Sequence, residues 1–319
     1  LAYFVPSLTI HASVLLLYKL FGAEKIPTDS IAQLGREAPN LIIWAVPVML
    51  ALTALEMAVS YWQERDHYEK KETIGSILVG LGNLVVTAGL KFGMMYLLVV
   101  IYNALPWRME LQWWTLLPCY VIYDLFSYWA HRVSHECRFF WATHVVHHTG
   151  EKYNLTVSYR LSWIQYIKTI FFIPVMLVGF HPVIFFVTNQ LATLFQFTQH
   201  TEYVRRLHPW LEYIFATPSN HRVHHGSQEK YIDKNFGATF IIWDRIFGTY
   251  QPEEEPVIYG ITTNIGNKAN PLHINFHEVT DMIQDVRRAK GLRHKLFYLF
   301  GSPVTIMLKK KRKAAVDAE

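Results

Sequence analysis

The sequence predicts an all-α integral-membrane helical bundle carrying a histidine-rich metal site on its cytosolic side. Three observations predict it. Apolar residues come in runs of about 20, long enough to cross a hydrocarbon core at ~1.5 Å per residue. Charged residues make up only 17% of 319 residues, against roughly 25% in ordinary globular chains, while hydrophobic residues reach 51% and aromatics 15%. Histidine is abundant, with sixteen copies, half of them in three tight groups. Together with a positive mean hydropathy, this composition excludes a disordered chain, a coiled coil and a typical soluble enzyme. Two cysteines, Cys119 and Cys137, exclude a disulfide framework and a cysteine-based zinc fold. The net charge is +5, and the run Lys309, Lys310, Lys311, Arg312, Lys313 alone supplies five positive charges. The basic balance is a property of this tail, and no nucleic-acid-binding surface is expected.

The apolar blocks set the elements. Residues 1–21 form the first block; without a basic leader region or a clear small-residue cleavage site before Glu24 they read as a membrane span. Residues 41–62 are the second block, with Glu56 inside it, and residues 77–102 the third, with Lys91 near its middle. Residues 111–129 are the fourth, rich in Trp and Tyr at the start, as an interfacial anchor requires. Residues 163–199 are too long for one span. Gly179, Phe180, His181 and Pro182 break them into two arms of about 17 residues, each ~25 Å as a helix. The expectation is a hairpin that enters and leaves by one face. Residues 201–249 are more polar and hold no span, 251–270 are loop-like, and 271–300 have the pattern of an amphipathic helix. The domain organisation expected is an N-terminal span and loop over 1–40, a membrane catalytic domain over 41–250, and a cytosolic helical segment with a basic tail over 251–319.

Orientation follows from Lys and Arg. The loop 63–75 holds Arg65, Lys70 and Lys71, and the tail holds five basic residues, whereas the loop 22–40 holds Lys25 and Arg36 beside Glu24, Asp29 and Glu37. The positive-inside rule puts 63–75 and the tail in the cytosol. Counting spans from there puts the chain after Trp129 in the cytosol as well, and the hairpin returns it there.

The histidine groups fall on that side. They are His131 with His135, His144 with His147 and His148, and His221 with His224 and His225. Residues at i, i+3 and i+4 share a helical face, so each group points two or three imidazoles one way. Neutral imidazole suits iron, zinc, copper and nickel, and eight such ligands exceed the need of one ion, so two ions are expected. His11, His67, His181, His208, His273, His277 and His294 are scattered and read as ordinary surface or core residues. Asp124, Tyr128, His131 and His135 form one helical stripe. The Asp124 carboxylate is a candidate to orient an imidazole; capping a neighbouring helix or snorkelling to water are its alternatives.

The spacing H-x3-H, then H-x2-H-H, then a second H-x2-H-H resembles the fatty acid hydroxylase / sterol desaturase superfamily of integral-membrane diiron enzymes, over residues 41–300. Within it, the stretches 129–136, 151–155, 199–202, 217–226, 232–237 and 242–249 are similar to the alkylglycerol monooxygenase branch. The resemblance implies that His131, His135, His144, His147, His148, His221, His224 and His225 bind metal. It adds His200, which ends the hairpin, as a ninth ligand. It implies that Glu136 contacts a reduced pterin, although Glu136 equally suits an exposed partner of Arg132. Asp124, Glu136, Asn154 and Asp233 are the candidate catalytic residues. The cofactors implied are two Fe ions, with Zn as an occupant after isolation, and tetrahydrobiopterin as electron donor.

The function expected is hydroxylation of a lipid C–H bond with O₂, favouring cleavage of an ether lipid such as an alkylglycerol. Sterol or fatty-acyl hydroxylation or desaturation is the alternative. A metal-binding transporter or sensor is the alternative of another class, and it predicts ligands within the spans, whereas the histidines cluster outside them. No G-x-G-x-x-G stands in a βαβ context, so a built-in nicotinamide reductase is not expected. The electron donor is separate, a reduced pterin or a cytochrome or reductase partner. The expected location is a multi-pass position in the endoplasmic reticulum of a eukaryote or the inner membrane of a bacterium, with the active site facing the cytosol and substrate entering from the bilayer.

Overall fold

A computed structural model describes residues 21–316 of the chain. The expected span over 1–21 lies outside these residues except for Phe21. The described residues are helical, with no strand among them. Two stretches, Thr28–Trp62 and Lys70–Ala104, are long and apolar enough to cross a membrane, with a mean hydropathy of 2.1 in their most apolar windows.

A short helix α1 (Ile31–Glu37) leads to α2 (Leu41–Trp62), which matches the second apolar block. Asn40 starts α2 by accepting the Ile43 N–H at 3.3 Å, and the chain turns at Glu64 with φ 53°. Helix α3 (Lys70–Ala104) has 35 residues, which at 1.5 Å each is roughly 50 Å, more than the ~30 Å hydrocarbon layer. Its first turns project beyond the apolar stretch, and there Glu72 accepts the N–H groups of Glu151 and Lys152 at 3.1 and 3.0 Å. Helix α4 (Leu116–Glu136) starts later than the fourth apolar block and runs past it, because nothing between Trp129 and Glu136 breaks a helix. It therefore carries His131 and His135 out of the apolar region on a rigid rod. Helix α5 (Arg138–His148) follows after a single extended residue, Cys137, and packs back on α4.

The hairpin is present, with unequal arms. The first is a 3-10 stretch, Gln165–Phe172, continued by α6 (Ile173–Leu177); the second is α7 (Pro182–Phe197). The turn between them uses Gly179 at φ 93°, and its missing Cβ leaves room for the Trp107 carbonyl, 2.9 Å from where that atom would stand. The core lies where α3, α4, α6 and α7 meet, around Met95, Val99, Cys119, Tyr123, Val175 and Phe185. Tyr123 stacks on Phe172 at 4.5 Å between ring centres and meets Phe185 edge-on.

Three short helices, α8 (Pro209–Ile214), α9 (Pro218–His224) and α10 (Ile242–Phe247), lie in the polar region expected to hold no span. The segment 248–270 is loop. The expected single amphipathic helix over 271–300 is two helices, α11 (Pro271–Arg288) and α12 (Leu292–Phe300), divided at Gly291 with φ 79°, and the basic tail forms α13 (Pro303–Val316). Helix α11 packs on α5 and α3. Arg138, buried at the start of α5, fixes this contact through Glu278 at 2.6 Å and Asp285 at 2.7 Å.

Candidate metal centre

Four segments deliver imidazoles to one place: the end of α4, the last two turns of α5, the residue after α7, and α9 with its C-terminal neighbour. The chain leaves His147 for the hairpin and returns at His200 with the two Nε2 atoms 3.1 Å apart. All nine histidines expected at the site meet. They form two groups whose potential ligand atoms lie within 4.8 Å of one another: His131, His135, His144, His148 and His224, and His147, His200, His221 and His225. The division cuts across the sequence motifs. His144 and His148 stand at i and i+4 and share a group, while His147 turns to the other; on α9, His221 and His225 pair and His224 turns away. Helices α5 and α9, the latter with its C-terminal neighbour His225, thus each serve both groups, which are joined where the His148 and His225 rings stack at 4.4 Å.

Backbone carbonyls set the tautomers. His131 Nδ1 donates to Phe236 O at 2.8 Å, His224 Nδ1 to Lys234 O at 2.9 Å, and His200 Nδ1 to Gln196 O at 2.8 Å. A proton held on Nδ1 leaves the Nε2 lone pair facing inward. The Nε2 atoms of His131, His135 and His224 and the Nδ1 atoms of His147 and His221 are buried without a hydrogen-bond partner among the described residues. In the four-imidazole group, Nε2 of His200 lies 3.1 and 3.0 Å from those of His147 and His221, and Nε2 of His225 lies 3.1 and 3.2 Å from the same two. Imidazole nitrogens roughly 2.0–2.1 Å from a common metal ion are spaced about this far apart. Inward lone pairs, orphaned nitrogens and this spacing all fit a bound cation. Burial drives the imidazole pKa values down, with mutual repulsion among the rings adding to it for most, and His200 is pushed down to about 4. The rings are neutral at pH 7 and their lone pairs are available.

The loop 232–240 is the scaffold behind two of these tautomers. Asp233 and Asn235 hold left-handed backbone at φ 58° and 55°, which their short polar side chains tolerate. Asn235 locks the turn by donating to the Asn220 and Gln251 carbonyls. Asp244 accepts the N–H groups of Phe236 and Gly237, each at 2.7 Å. Gly237 is required, because a Cβ would stand 2.6 Å from Phe240 O.

This loop corrects the expectation for Asp124. Its carboxylate meets no imidazole. It accepts from Thr239 N at 2.8 Å, Phe240 N at 3.0 Å and Trp243 Nε1 at 3.0 Å. Asp124 thus positions the loop whose carbonyls hold His131 and His224. The carboxylate beside an imidazole is Asp233, 3.4 Å from His135 Nδ1. Asn154 is also placed otherwise than expected of a catalytic group: it caps the turn Leu155–Tyr159, accepting from Thr156 N and donating to His67 O. Its neighbour Tyr153 is the one that lies against the site, its ring 5.2 Å from that of His225. Glu136 is half-exposed and paired with Arg132 at 2.9 Å.

Two contributors carried no sequence signal of function. Glu56, inside the second apolar block, is buried and accepts from Tyr68 OH at 2.5 Å, Leu155 N at 2.8 Å and the Thr201 hydroxyl beside His200. Arg160 is buried and donates to Ser76 Oγ at 2.8 Å and Thr149 Oγ1 at 2.5 Å, anchoring the end of α5 one residue after His148.

Comparison with known proteins agrees with this geometry. Residues 116–249 match the fatty acid hydroxylase family model. Alkylglycerol monooxygenase of Homo sapiens is 35% identical over 283 residues, which is 87% of this chain and 62% of the human protein. That of Danio rerio is 37% identical over 248 residues, 75% of this chain and 54% of the relative. Ornithine lipid hydroxylase OlsE of Rhizobium tropici is 26% identical over 242 residues, 70% of this chain and 72% of that protein. The chain spans about three fifths of the human relative's length. No solved structure matches. Residues 116–249, which hold all nine converging histidines, match the fatty acid hydroxylase family model, in a chain similar to the alkylglycerol monooxygenases over 87% of its length.

Proposed function

We propose that the protein is a membrane-bound diiron oxygenase that hydroxylates a lipid C–H bond with O₂, and that its first-choice substrate is an ether lipid of the alkylglycerol kind. The observation that carries this reading is the division of nine buried imidazoles into two ligand groups inside the stretch that matches the fatty acid hydroxylase family model. His131, His135, His144, His148 and His224 would hold one ion, and His147, His200, His221 and His225 the other. Iron held there would supply the one-electron redox chemistry that reduction of O₂ requires. Zinc is the expected substitute after isolation.

The chain's own residues supply orientation and dryness. Carbonyls of Gln196, Lys234 and Phe236 hold protons on Nδ1 of His200, His224 and His131, so that Nε2 remains the ligand atom. The Asp233 carboxylate, 3.4 Å from His135 Nδ1, favours a proton on that nitrogen and so raises the basicity of the ring as a ligand. Tyr153 and Phe236 are buried against the rings and keep bulk water away. The apolar hairpin and α2 offer substrate a way in from the bilayer, with the metal centre at the cytosolic end of α4. Hydroxylation of the carbon beside an ether oxygen gives a hemiacetal, which breaks to an aldehyde and a glycerol.

A sterol or fatty-acyl substrate is the second reading. It is favoured by methylsterol monooxygenase 1 of Rattus norvegicus, 31% identical over 151 residues, 44% of this chain and 49% of that protein. Iron-loaded protein in detergent is to be supplied with O₂, reduced pterin and, in parallel, an alkylglycerol, a sterol and a fatty-acyl lipid. Fatty aldehyde from the alkylglycerol alone is the expected result. Product from the sterol or acyl lipid alone selects the second reading, and product from none of the three overturns the oxygenase assignment.

A further inference from the structure

A strongly basic surface lies on the last helices, away from the metal centre. Between Asp285 and Asp317 the chain carries ten Lys and Arg residues and no Asp or Glu. Arg287, Arg288 and Lys290 around the end of α11, Arg293 and Lys295 on α12, and the basic run 309–312 on α13 are all exposed. Of these cations only Lys310 makes an ion pair among the described residues, with Asp285 at 2.5 Å. The surface is also apolar along one line. Leu292, Leu296 and Phe300 stand at i, i+4 and i+8 of α12 and are 72%, 46% and 51% exposed. At about 3.6 residues per turn, Arg293 and Lys295 fall on either side of this stripe. Lys309 brings α13 up against α12, its ammonium 4.8 Å from the centre of the Phe297 ring.

The position of α12 tells what meets this face. Arg138 N donates to Gly301 O at 3.1 Å, which pins the end of α12 to the start of α5, just past the end of α4. Aromatic rings continue from there into the hairpin. Phe300 lies 6.0 Å from Phe139 between ring centres, and Phe140, the next residue, lies 4.9 Å from Phe171 in the 3-10 arm. Near Phe171, Ile167 and Ile170 are exposed and apolar, as befits an arm that faces lipid. The stripe of α12 therefore continues the apolar outside of the hairpin, and the cations stand where the apolar surface ends.

We propose that α12 lies in the headgroup layer of the cytosolic leaflet, with Leu292, Leu296 and Phe300 seated among the upper acyl carbons and the basic residues of α11, α12 and α13 binding anionic phospholipid headgroups. Burial of the stripe alone would suit any bilayer. Ten positive charges with no opposing charge select an anionic one, because each Lys or Arg near such a surface adds an attraction that reaches about one Debye length, ~10 Å at 0.1 M salt. A nucleic acid would match the charge but leave the three apolar side chains in water. A second copy of this chain would set ten like charges against ten. The docking also seats the metal domain. Asp285 accepts from both Lys310 on α13 and Arg138 at the start of α5, so headgroups held by α13 are linked through one carboxylate to the helix that delivers His144, His147 and His148. The surface serves in this way whatever reaction the metal centre performs.

The test uses zinc-loaded full-length protein, one chain per lipid nanodisc, so that neither turnover nor a second copy contributes. An environment-sensitive fluorophore on Leu296→Cys is read in discs of phosphatidylcholine and in discs of an equal mixture with phosphatidylglycerol, with the parent chain labelled in parallel to subtract Cys119 and Cys137. Quenching by acrylamide, a neutral quencher, is expected to be about threefold weaker in the anionic discs, and this protection is expected to shrink with added salt. It should be lost when Arg288, Arg293, Lys295 and Arg312, all exposed, are changed together to Glu, with zinc content unchanged. Equal quenching in the two kinds of disc overturns the proposal, whether position 296 is covered in both or in neither. Protection that survives the four charge reversals overturns it too, because the basic residues would then not hold the face. So does protection produced in phosphatidylcholine discs by polyuridylate and not by phosphatidylglycerol, which would assign the surface to a nucleic acid.

Discussion

His147 and His224 each stand beside histidines that serve the opposite ligand group. Replacing either with alanine is expected to abolish turnover and to lower bound metal by about one ion per chain, from different groups in the two variants. Membrane insertion is expected to persist, since it depends on the apolar helices and not on these imidazoles. His273→Ala serves as the control. Metal analysis and a membrane-fractionation assay check both halves, and full activity in either variant would remove the diiron reading. Asp124→Asn makes a subtler case. The carboxylate holds three N–H donors of the segment 239–243, and an amide offers a single oxygen to them. Metal affinity is expected to fall by roughly 10- to 100-fold, the cost typical of losing an outer orienting group, although Asp124 touches no metal ligand. Unchanged affinity would show that the loop holds His131 and His224 without it. Eight of the nine ligand candidates were legible because H-x3-H and H-x2-H-H are side-chain patterns of a helix, and His200 came from the family resemblance alone. The carbonyls of Lys234, Phe236 and Gln196 were not, because a carbonyl is common to every residue and only the fold aims it. The same blindness made Asp124 look like an imidazole partner, since helical spacing puts it on the His131 stripe but does not reveal the loop packed between.

Among the elements, the hairpin decides whether the site can exist. His147 and His200 flank it in sequence and touch in space, so both ends lie on one side. Single cysteines at Lys152 and Arg206, outside the hairpin on either flank, are expected to label from the same face of a sealed vesicle with a membrane-impermeant reagent. Labelling from opposite faces would overturn the hairpin and the site together. Hydropathy gave its limits well, since an apolar block too long for one span and broken at Gly179 has few other solutions. The conformation of its first arm was not readable. Residues 165–172 form a 3-10 stretch, and the apolar pattern is the same for a 3-10 turn and an α-helix over so few residues. Helix α4 shows the converse. Hydropathy ended it near Trp129, where the apolar residues stop, but hydrogen bonding continues to Glu136 because His131, Arg132 and His135 are acceptable helix residues. That extension places two ligand candidates on a helix anchored in the apolar core.

On the scale of the whole molecule, the histidine cluster is a point where the fold converges: α4, α5, α9 and the residue after α7 meet there, and without a cation their meeting point is a set of buried nitrogens facing one another. Metal removal by a chelator is therefore expected to lower the thermal unfolding midpoint as well as to end activity. The metal-free protein should then show a defined pH dependence. Take His200, whose pKa is driven by burial from 6.5 to about 4. Between those values the unfolded chain binds a proton that the folded chain refuses, so stability rises with pH through this window and is lost as pH falls from 6.5 toward 4. A displacement of this size is worth roughly 3 kcal/mol for one group, a substantial share of a stability of about 5–15 kcal/mol. The other buried imidazoles shift in the same direction, so the effect accumulates, and the unfolding midpoint of chelator-treated protein is expected to drop steeply below pH 6.5. Metal-loaded protein should resist until the pH at which protons displace the ion, because each ligating lone pair is then occupied by the metal. Thermal unfolding of both forms in detergent from pH 8 to pH 5 measures the difference. Parallel curves for the two would mean that the imidazoles are not buried ligands, whereas curves that diverge as the pH is lowered tie the stability of the bundle to the metal that its histidines are arranged to hold.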